Sequence, residues 1–173
     1  MLKKRQTVTV LTCLAVALIV LTAGSQTPQA TLRSLDGGSV NLNSLRGKVA
    51  VISFGNKENP LAGKELPALQ KLADRYSSRG VQFYWVSINN AKPGSRNYAS
   101  DDDLRAFAQK HNLRLTVLRD PDQEAYRAFG LDALPTVVVL DKQGRVARKH
   151  VGFGADPGDT YSEIIRDIEQ LLK

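Results

Sequence analysis

The chain has 173 residues, 42% hydrophobic and 24% charged, with one cysteine and a formal net charge of +7. That length carries one domain with a full core and is too short for two of ordinary size, and the composition is that of a globular protein. The charge overstates the basicity of the folded part: removing Lys3, Lys4 and Arg5, which stand before residue 31 without any acid, leaves 21 basic against 17 acidic residues, with no basic stripe interleaved with aromatics to mark a nucleic-acid footprint.

Lys3-Lys4-Arg5 leads into residues 8–23, sixteen apolar or hydroxyl residues closed by the small residues Ala23-Gly24-Ser25. Residues 1–25 form a signal peptide or an uncleaved signal anchor. The run is short for a spanning helix, which takes about 20 residues, and this favours the cleaved signal. Either way the folded part is exported, to the periplasm or another extracytoplasmic space, and residues 8–23 are the segment available for membrane anchoring. Cys13 sits inside this run as a small hydrophobe, so the exported part has no cysteine. In an oxidising compartment that avoids stray disulfides and removes thiol chemistry.

Residues 26–30 are a short polar linker and residues 31–173 the domain. Between two extended pieces, Asp36-Gly37-Gly38 predicts a β-hairpin, and Asn43-Ser44-Leu45 one helical turn. Val49-Ala50-Val51-Ile52-Ser53-Phe54 is continuously apolar, as a central parallel strand covered on both faces should be. Ala62, Leu66, Leu69, Leu72, Ala73 and Tyr76 fall at helical spacing, giving a helix over 60–78 with Asn59 as its N-cap, Pro60 in its first turn and Pro67 inside. Residues 81–88 are the next buried strand, and residues 89–100 a polar loop at the carboxyl edge of the sheet. Ser100 can cap a helix whose first turn holds Asp101, Asp102 and Asp103, with Leu104, Phe107, Ala108 and His111 inward.

A short strand over 115–118 precedes Asp120-Pro121-Asp122-Gln123, a capping box that should open a helix through Phe129, closed by Gly130. Residues 136–140 are a third core strand, turned by Asp141 to Gly144 into an antiparallel edge strand over 145–151. Residues 152–158 match a phosphate loop poorly and form a connection. Thr160-Tyr161-Ser162-Glu163 is a second capping box, opening a helix with Tyr161, Ile164, Ile165, Ile168, Leu171 and Leu172 on one face. The class is α/β.

Residues 48–67, KVAVISFGNKENPLAGKELP, resemble thioredoxin-like proteins of the TlpA/ResA (AhpC/TSA-redoxin) type. There a strand runs into F-W-A-x-W-C-x-x-C and then a helix with E-x-P. Phe54 takes the place of the Phe, and Glu65, Leu66 and Pro67 that of E-x-P. The two cysteine positions fall on Asn59 and Ala62, so the motif is Asn59-Pro60-Leu61-Ala62. Residues 131–136, LDALPT, resemble the family's G-V-x-x-x-P-T segment, and the hairpin ending in L-x-G-K is also similar to that type. The resemblance implies a thioredoxin-like fold, a central mixed sheet flanked by helices with an N-terminal β-hairpin. It also implies that Pro135 is a cis proline facing the active loop, and that the backbone of Leu134 hydrogen-bonds an extended peptide of a partner.

Thiol–disulfide exchange needs a thiolate and a resolving sulfur, and the peroxiredoxin reaction also starts from a thiolate. Asn59 and Ala62 supply neither, so no catalytic residue is expected. Copper chaperones on this fold use two cysteines and a histidine; here only His111, a half-buried residue at a helix end, and His150, on the solvated basic face of the edge strand, are at hand. No metal or cofactor is expected. Ser53 has no His–Asp partner, and Glu58, at the family's second Trp, is a surface charge. What remains is a binding groove of Glu58, Asn59, Pro60, Leu61, Leu134 and Pro135. The expected function is a redox-inactive, exported binding or assembly module whose partner is another envelope protein or a membrane protein complex, not nucleic acid. The alternatives are a thiol-disulfide oxidoreductase of the TlpA/ResA type, disfavoured for want of cysteines, and a peptide-binding holdase.

Overall fold

The computed structural model describes residues 27–153 and 157–173, so the expected signal or anchor segment, Cys13 and residues 154–156 lie outside the described residues. The domain begins with a hairpin of Thr31–Ser34 (β1) and Ser39–Asn41 (β2), turned by Gly37 and Gly38 at φ of 90° and 77°. A 3-10 turn over Leu42–Leu45 then buries Leu42 and Leu45. The remaining elements are Ala50–Gly55 (β3), Ala62–Tyr76 (α1), Gln82–Ser87 (β4), Asp101–Lys110 (α2), Thr116–Arg119 (β5), Glu124–Ala128 (α3), Thr136–Leu140 (β6), Val146–Val151 (β7) and Pro157–Leu172 (α4). They are the elements expected from the sequence, with most strand bounds moved by one residue.

All seven strands form one mixed sheet in the order β2-β1-β5-β4-β3-β6-β7. Strands β3, β4 and β5 run parallel, and every other pairing is antiparallel. The hairpin therefore extends the main sheet through β1 and β5. Side chains alternate along a strand, and the apolar run of β3 is continuous because both faces are covered. Val51 faces a core with Leu66, Leu69, Tyr76 and Trp85. Ala50, Ile52 and Phe54 face the other, where Phe54 meets the ring edges of Tyr126 and Phe129. Full burial of each large apolar side chain stabilises the fold by about 1.5–3 kcal/mol.

Three helix starts differ from the sequence expectation, that of α1 at the candidate site and two away from it. Gln123 is in the left-handed region at φ 57°, so α3 begins at Glu124 rather than at Pro121. Asp120 still caps it, but from further back: its carboxylate accepts from the N–H groups of Ala125 at 3.2 Å and Tyr126 at 2.8 Å. The last helix starts at Pro157, three residues ahead of the expected box, so Thr160 and Glu163 are interior and the connection over 152–158 is shorter than expected. Proline suits a first helical position because its fixed φ is already helical and its missing N–H is not needed there. The Ser100 cap is as expected, with Asp103 returning a bond to the Ser100 N–H at 2.9 Å.

Asp120→Ala is expected to cost about 2 kcal/mol, since it removes a cap and leaves two buried donors unpaired. Thermal unfolding should show a Tm several degrees lower; an unchanged Tm would contradict the assignment of the cap.

Candidate functional site

The site is built at the carboxyl end of β3, where the chain leaves the sheet through residues 56–61 and enters α1. Gly55 is required there by close packing, because a Cβ at this position would lie 2.9 Å from Nε1 of Trp85. On the other side Phe54 pairs with Thr136, so Leu134 and Pro135 lie just past the end of β3, beside the loop. The Leu134–Pro135 bond is cis. Pro135 is buried, and its carbonyl accepts from the Gly152 N–H at 2.7 Å. Leu134 is half-buried against the Phe54 core, and its own amide and carbonyl enter no hydrogen bond among the described residues.

Across from Leu134, Asn59 is committed to its own loop. Its Oδ1 accepts from the Leu61 N–H at 2.9 Å and its carbonyl from the Ala62 N–H at 3.1 Å. The expectation of Asn59 as the helix cap is therefore corrected. It closes a turn instead, and α1 begins two residues later than expected, at Ala62. An Asn side chain bonded to the backbone two residues on forms such a turn readily. Pro60 is exposed, Leu61 half-buried, and Ala62 buried.

Glu58 is a partly exposed carboxylate, as expected of a surface charge, but it is anchored: it accepts from Nδ2 of Asn89 at 2.7 Å and from Lys57 at 3.0 Å. Partial burial pushes its carboxyl up, the hydrogen bonds from Asn89 and Lys57 push it down, and the net shift is downward. Asn89 was not singled out by the sequence. It is fully buried and fills all four side-chain bonding positions. Oδ1 accepts from the Lys57 N–H at 3.0 Å and the Ser87 hydroxyl at 3.1 Å, while Nδ2 donates to Glu58 and to the Asn97 carbonyl at 2.8 Å. Its carbonyl takes Nη2 of Arg119 at 3.2 Å, and Nη1 of Arg119 reaches the Ala99 carbonyl and Asp101. An arginine closing the apolar strand V-L-R was the one sign of this network, since such a charge needs buried partners.

Beneath the loop, the Ser53 hydroxyl donates to Oε1 of Glu65. Glu65 is 2% exposed, and burial raises its carboxyl to about 7 against the opposing pull of the Ser53 bond. Of the two histidines, His111 ends α2 with its ring edge-on to Phe107, centroids 4.6 Å apart, and burial lowers its pKa. His150 corrects the sequence reading. It pairs with Val137 on the face that α4 covers, and its ring lies between Oε2 of Glu163 at 3.3 Å and Oδ2 of Asp167 at 2.8 Å, with the side chain 11% exposed. It joins edge strand to helix, level with Ser53 two strands across the sheet.

Residues 23–149 match the AhpC/TSA family. Over 151 residues, 87% of this chain and 77% of the relative, the chain is 25% identical to the thiol-disulfide oxidoreductase ResA of Halalkalibacterium halodurans. A Chlorobium tepidum protein described as a candidate thiol:disulfide interchange protein DsbE superposes with a TM-score of 0.73 at 25% identity, over 87% of this chain and 97% of that one. A secreted Mycobacterium tuberculosis disulfide oxidoreductase shares the fold, with a TM-score of 0.65 at 22% identity over 80% of this chain and 96% of the other.

Asn89→Ala is expected to destabilise the domain by about 2–4 kcal/mol, because it strands several buried groups at once. Hydrogen exchange should show the Lys57 amide losing protection before the sheet does; protection equal to wild type would refute the clamp. Glu65 gives a second test. Its folded pKa lies above its unfolded value, so its contribution is complete below about pH 4.5 and is lost as pH rises through about 7. The swing is roughly 3 kcal/mol at most. His111 works the other way, losing stability as pH falls through its unfolded value. Urea unfolding of Glu65→Gln at pH 5 and pH 8 should lack the Glu65 swing, and a pH dependence matching wild type would disprove the assignment.

Proposed function

The chain belongs to the AhpC/TSA family, and from that premise we propose that it is a redox-inactive, thioredoxin-like member serving as a protein-binding or assembly module of the cell envelope. One observation carries this reading. Where the family's two reactive sulfurs would stand, this chain has Asn59, whose side-chain oxygen is committed to the Leu61 N–H, and Ala62, a buried methyl group. An amide nitrogen is not a nucleophile, and disulfide exchange starts from a thiolate. The single cysteine, Cys13, belongs to the apolar leader.

The surroundings of the missing sulfurs support a binding role. The Leu134 amide and carbonyl make no hydrogen bond among the described residues, and Leu134 lies beside the loop that carries exposed Pro60 and half-buried Leu61. An extended segment of a partner pairs with such a backbone as an added strand would, and its side chains then meet Leu61, Leu134 and Pro135. Glu58, held by Asn89, places a fixed negative charge at the rim, favouring a segment with a basic residue there. The leader over 1–25 supports export, which puts the partner among envelope or membrane proteins. The oxidoreductase activity named for the Halalkalibacterium relative lacks its nucleophile here. A holdase would use the same groove without a fixed partner.

Reduction of a model disulfide by the pure protein should not exceed the uncatalysed rate; turnover would overturn the proposal. Native electrophoresis of gently solubilised envelopes, with mass spectrometry of the band, should show a stoichiometric partner, and Leu134→Asp should weaken that complex about tenfold or more, with Tm little changed. Normal binding by folded Leu134→Asp would remove the groove as the contact surface, and migration only as a free 19.0 kDa species would favour the holdase.

A further inference from the structure

The strand beside the Leu134–Pro135 segment is fastened to α4 through an imidazole. His150 stands on β7 opposite Val137, and Val151 stands opposite Thr136. The next residue, Gly152, donates its N–H to the Pro135 carbonyl at 2.7 Å. His150 is therefore two residues from the bond that holds the cis proline in place.

Both ring nitrogens of His150 point at carboxylates. Nδ1 lies 3.3 Å from Oε2 of Glu163, and Nε2 lies 2.8 Å from Oδ2 of Asp167. A neutral imidazole has one N–H and one lone pair, so it donates to one of these groups and sets a lone pair against the other. The imidazolium donates to both. With the side chain 11% exposed, water has little room to supply the missing donor. Glu163 and Asp167 are also four residues apart on one face of α4, where like charges repel, and a cation between them relieves that repulsion.

The other charges around the ring do not replace it. On β7, Nε of Arg148 is 3.8 Å from Oδ1 of Asp167, and on α4, Nη2 of Arg166 is 3.7 Å from Oε1 of Glu163. Both guanidinium groups are exposed, and exposed pairs at that range are weak. β6 presents only Val137 and Val139 to this face. On α1, Glu65 is level with His150 through Ser53 and Val137, but its carboxyl takes the Ser53 hydroxyl. Further along α4, Glu169 is tied to α1 by Arg79 and Tyr76, and those bonds hold its carboxyl down to about 2. That second tie keeps its charge where His150 changes its own.

We infer that His150 is a proton-dependent clasp: as the imidazolium it ties α4 at Glu163 and Asp167 to the end of β7 and steadies the bond from Gly152 to Pro135, and as the neutral ring it lets one carboxylate go. The tie is complete in the imidazolium and is lost as pH rises and the ring gives up its proton. The clasp stands whatever the groove takes. On the binding reading above, an extended segment along Leu134 is held more firmly on the acid side.

Glu65 shifts stability in the same direction and His111 in the opposite one, so the two are cancelled by comparing Glu65→Gln with Glu65→Gln/His150→Gln. Amide hydrogen exchange is read by NMR at pH 5.5 and pH 8 and corrected for intrinsic rates. In Glu65→Gln, protection of the Gly152 amide should fall about tenfold from the lower to the higher pH, the amount that one hydrogen bond to a charged group contributes. Amides of residues 169–172 should change by less than about threefold, since their tie to α1 keeps its charge. Adding His150→Gln should abolish the fall at Gly152. Flat protection of Gly152 in Glu65→Gln, or an equal fall with His150→Gln, overturns the clasp, and so does an equal fall at 169–172. Imidazole 15N signals of the unaltered chain give a readout that needs no variant. At pH 5.5 both ring nitrogens of His150 should carry protons, and one bare nitrogen at that pH overturns the inference.

Discussion

Asn89 lies at the end of β4 with no surface exposed, and its carboxamide joins three segments: the loop after β3, the end of β4 and the long loop over 89–100. Its two lone pairs and two amide hydrogens are all used, and Arg119 takes its backbone carbonyl. Neither Asp nor Leu reproduces this pattern, since one cannot donate and the other offers no polar atom. In a buried setting a complete set of bonds fixes one geometry, whereas a partial set is costly. The position of Glu58 and the start of the loop follow from this residue more than from the loop's own sequence.

Glu65 imposes the opposite condition. It sits one helical turn after Ala62, on the same face of α1, and the only described hydrogen bond to its carboxyl is from Ser53. A carboxyl in apolar surroundings stays protonated to higher pH than it would in water, and this one reaches about 7. With a methyl group at position 62, nothing in that first turn exchanges a proton with it. The carboxyl is thus a pH-dependent load on the fold, carried beneath the loop over 56–61.

The sequence made the sheet and both cores legible because burial on both faces forces continuous apolar strands, as in β3, and because a helix covering such a sheet needs the stripe from Ala62 to Tyr76. Ser100 was legible because its cap is local. What failed was nonlocal or depended on one backbone angle. Gln123 in the left-handed region delays α3, and Asp120 caps from five residues back. His150 looked solvated between basic neighbours, but the alternation of β7 turns it towards α4 and the carboxylates of Glu163 and Asp167. Asn89 and Arg119 could not be matched from sequence, since the residues they join lie as much as 32 positions apart. Family resemblance drew attention to the loop and to Leu134–Pro135, but gave no sign of the carboxamide that holds Glu58.

The same bonds bear on what kind of surface the loop presents. A disulfide-exchanging loop must expose a sulfur and let it change partners. Here Asn59 is closed on Leu61, Glu58 is held by Asn89 and Lys57, and the Lys57 N–H is held by Asn89, so the loop has little local freedom left to lose. Ordering side chains and loops is one of the main costs of association, and a loop already fixed avoids much of it. Beside that loop stands Leu134, whose backbone donor and acceptor make no hydrogen bond among the described residues. The proposed binding of an extended chain would use such a fixed loop beside an open peptide edge. Asn59, Ala62 and the clamp at Asn89 therefore act in one direction: they leave the loop without an exchangeable sulfur and fix its geometry.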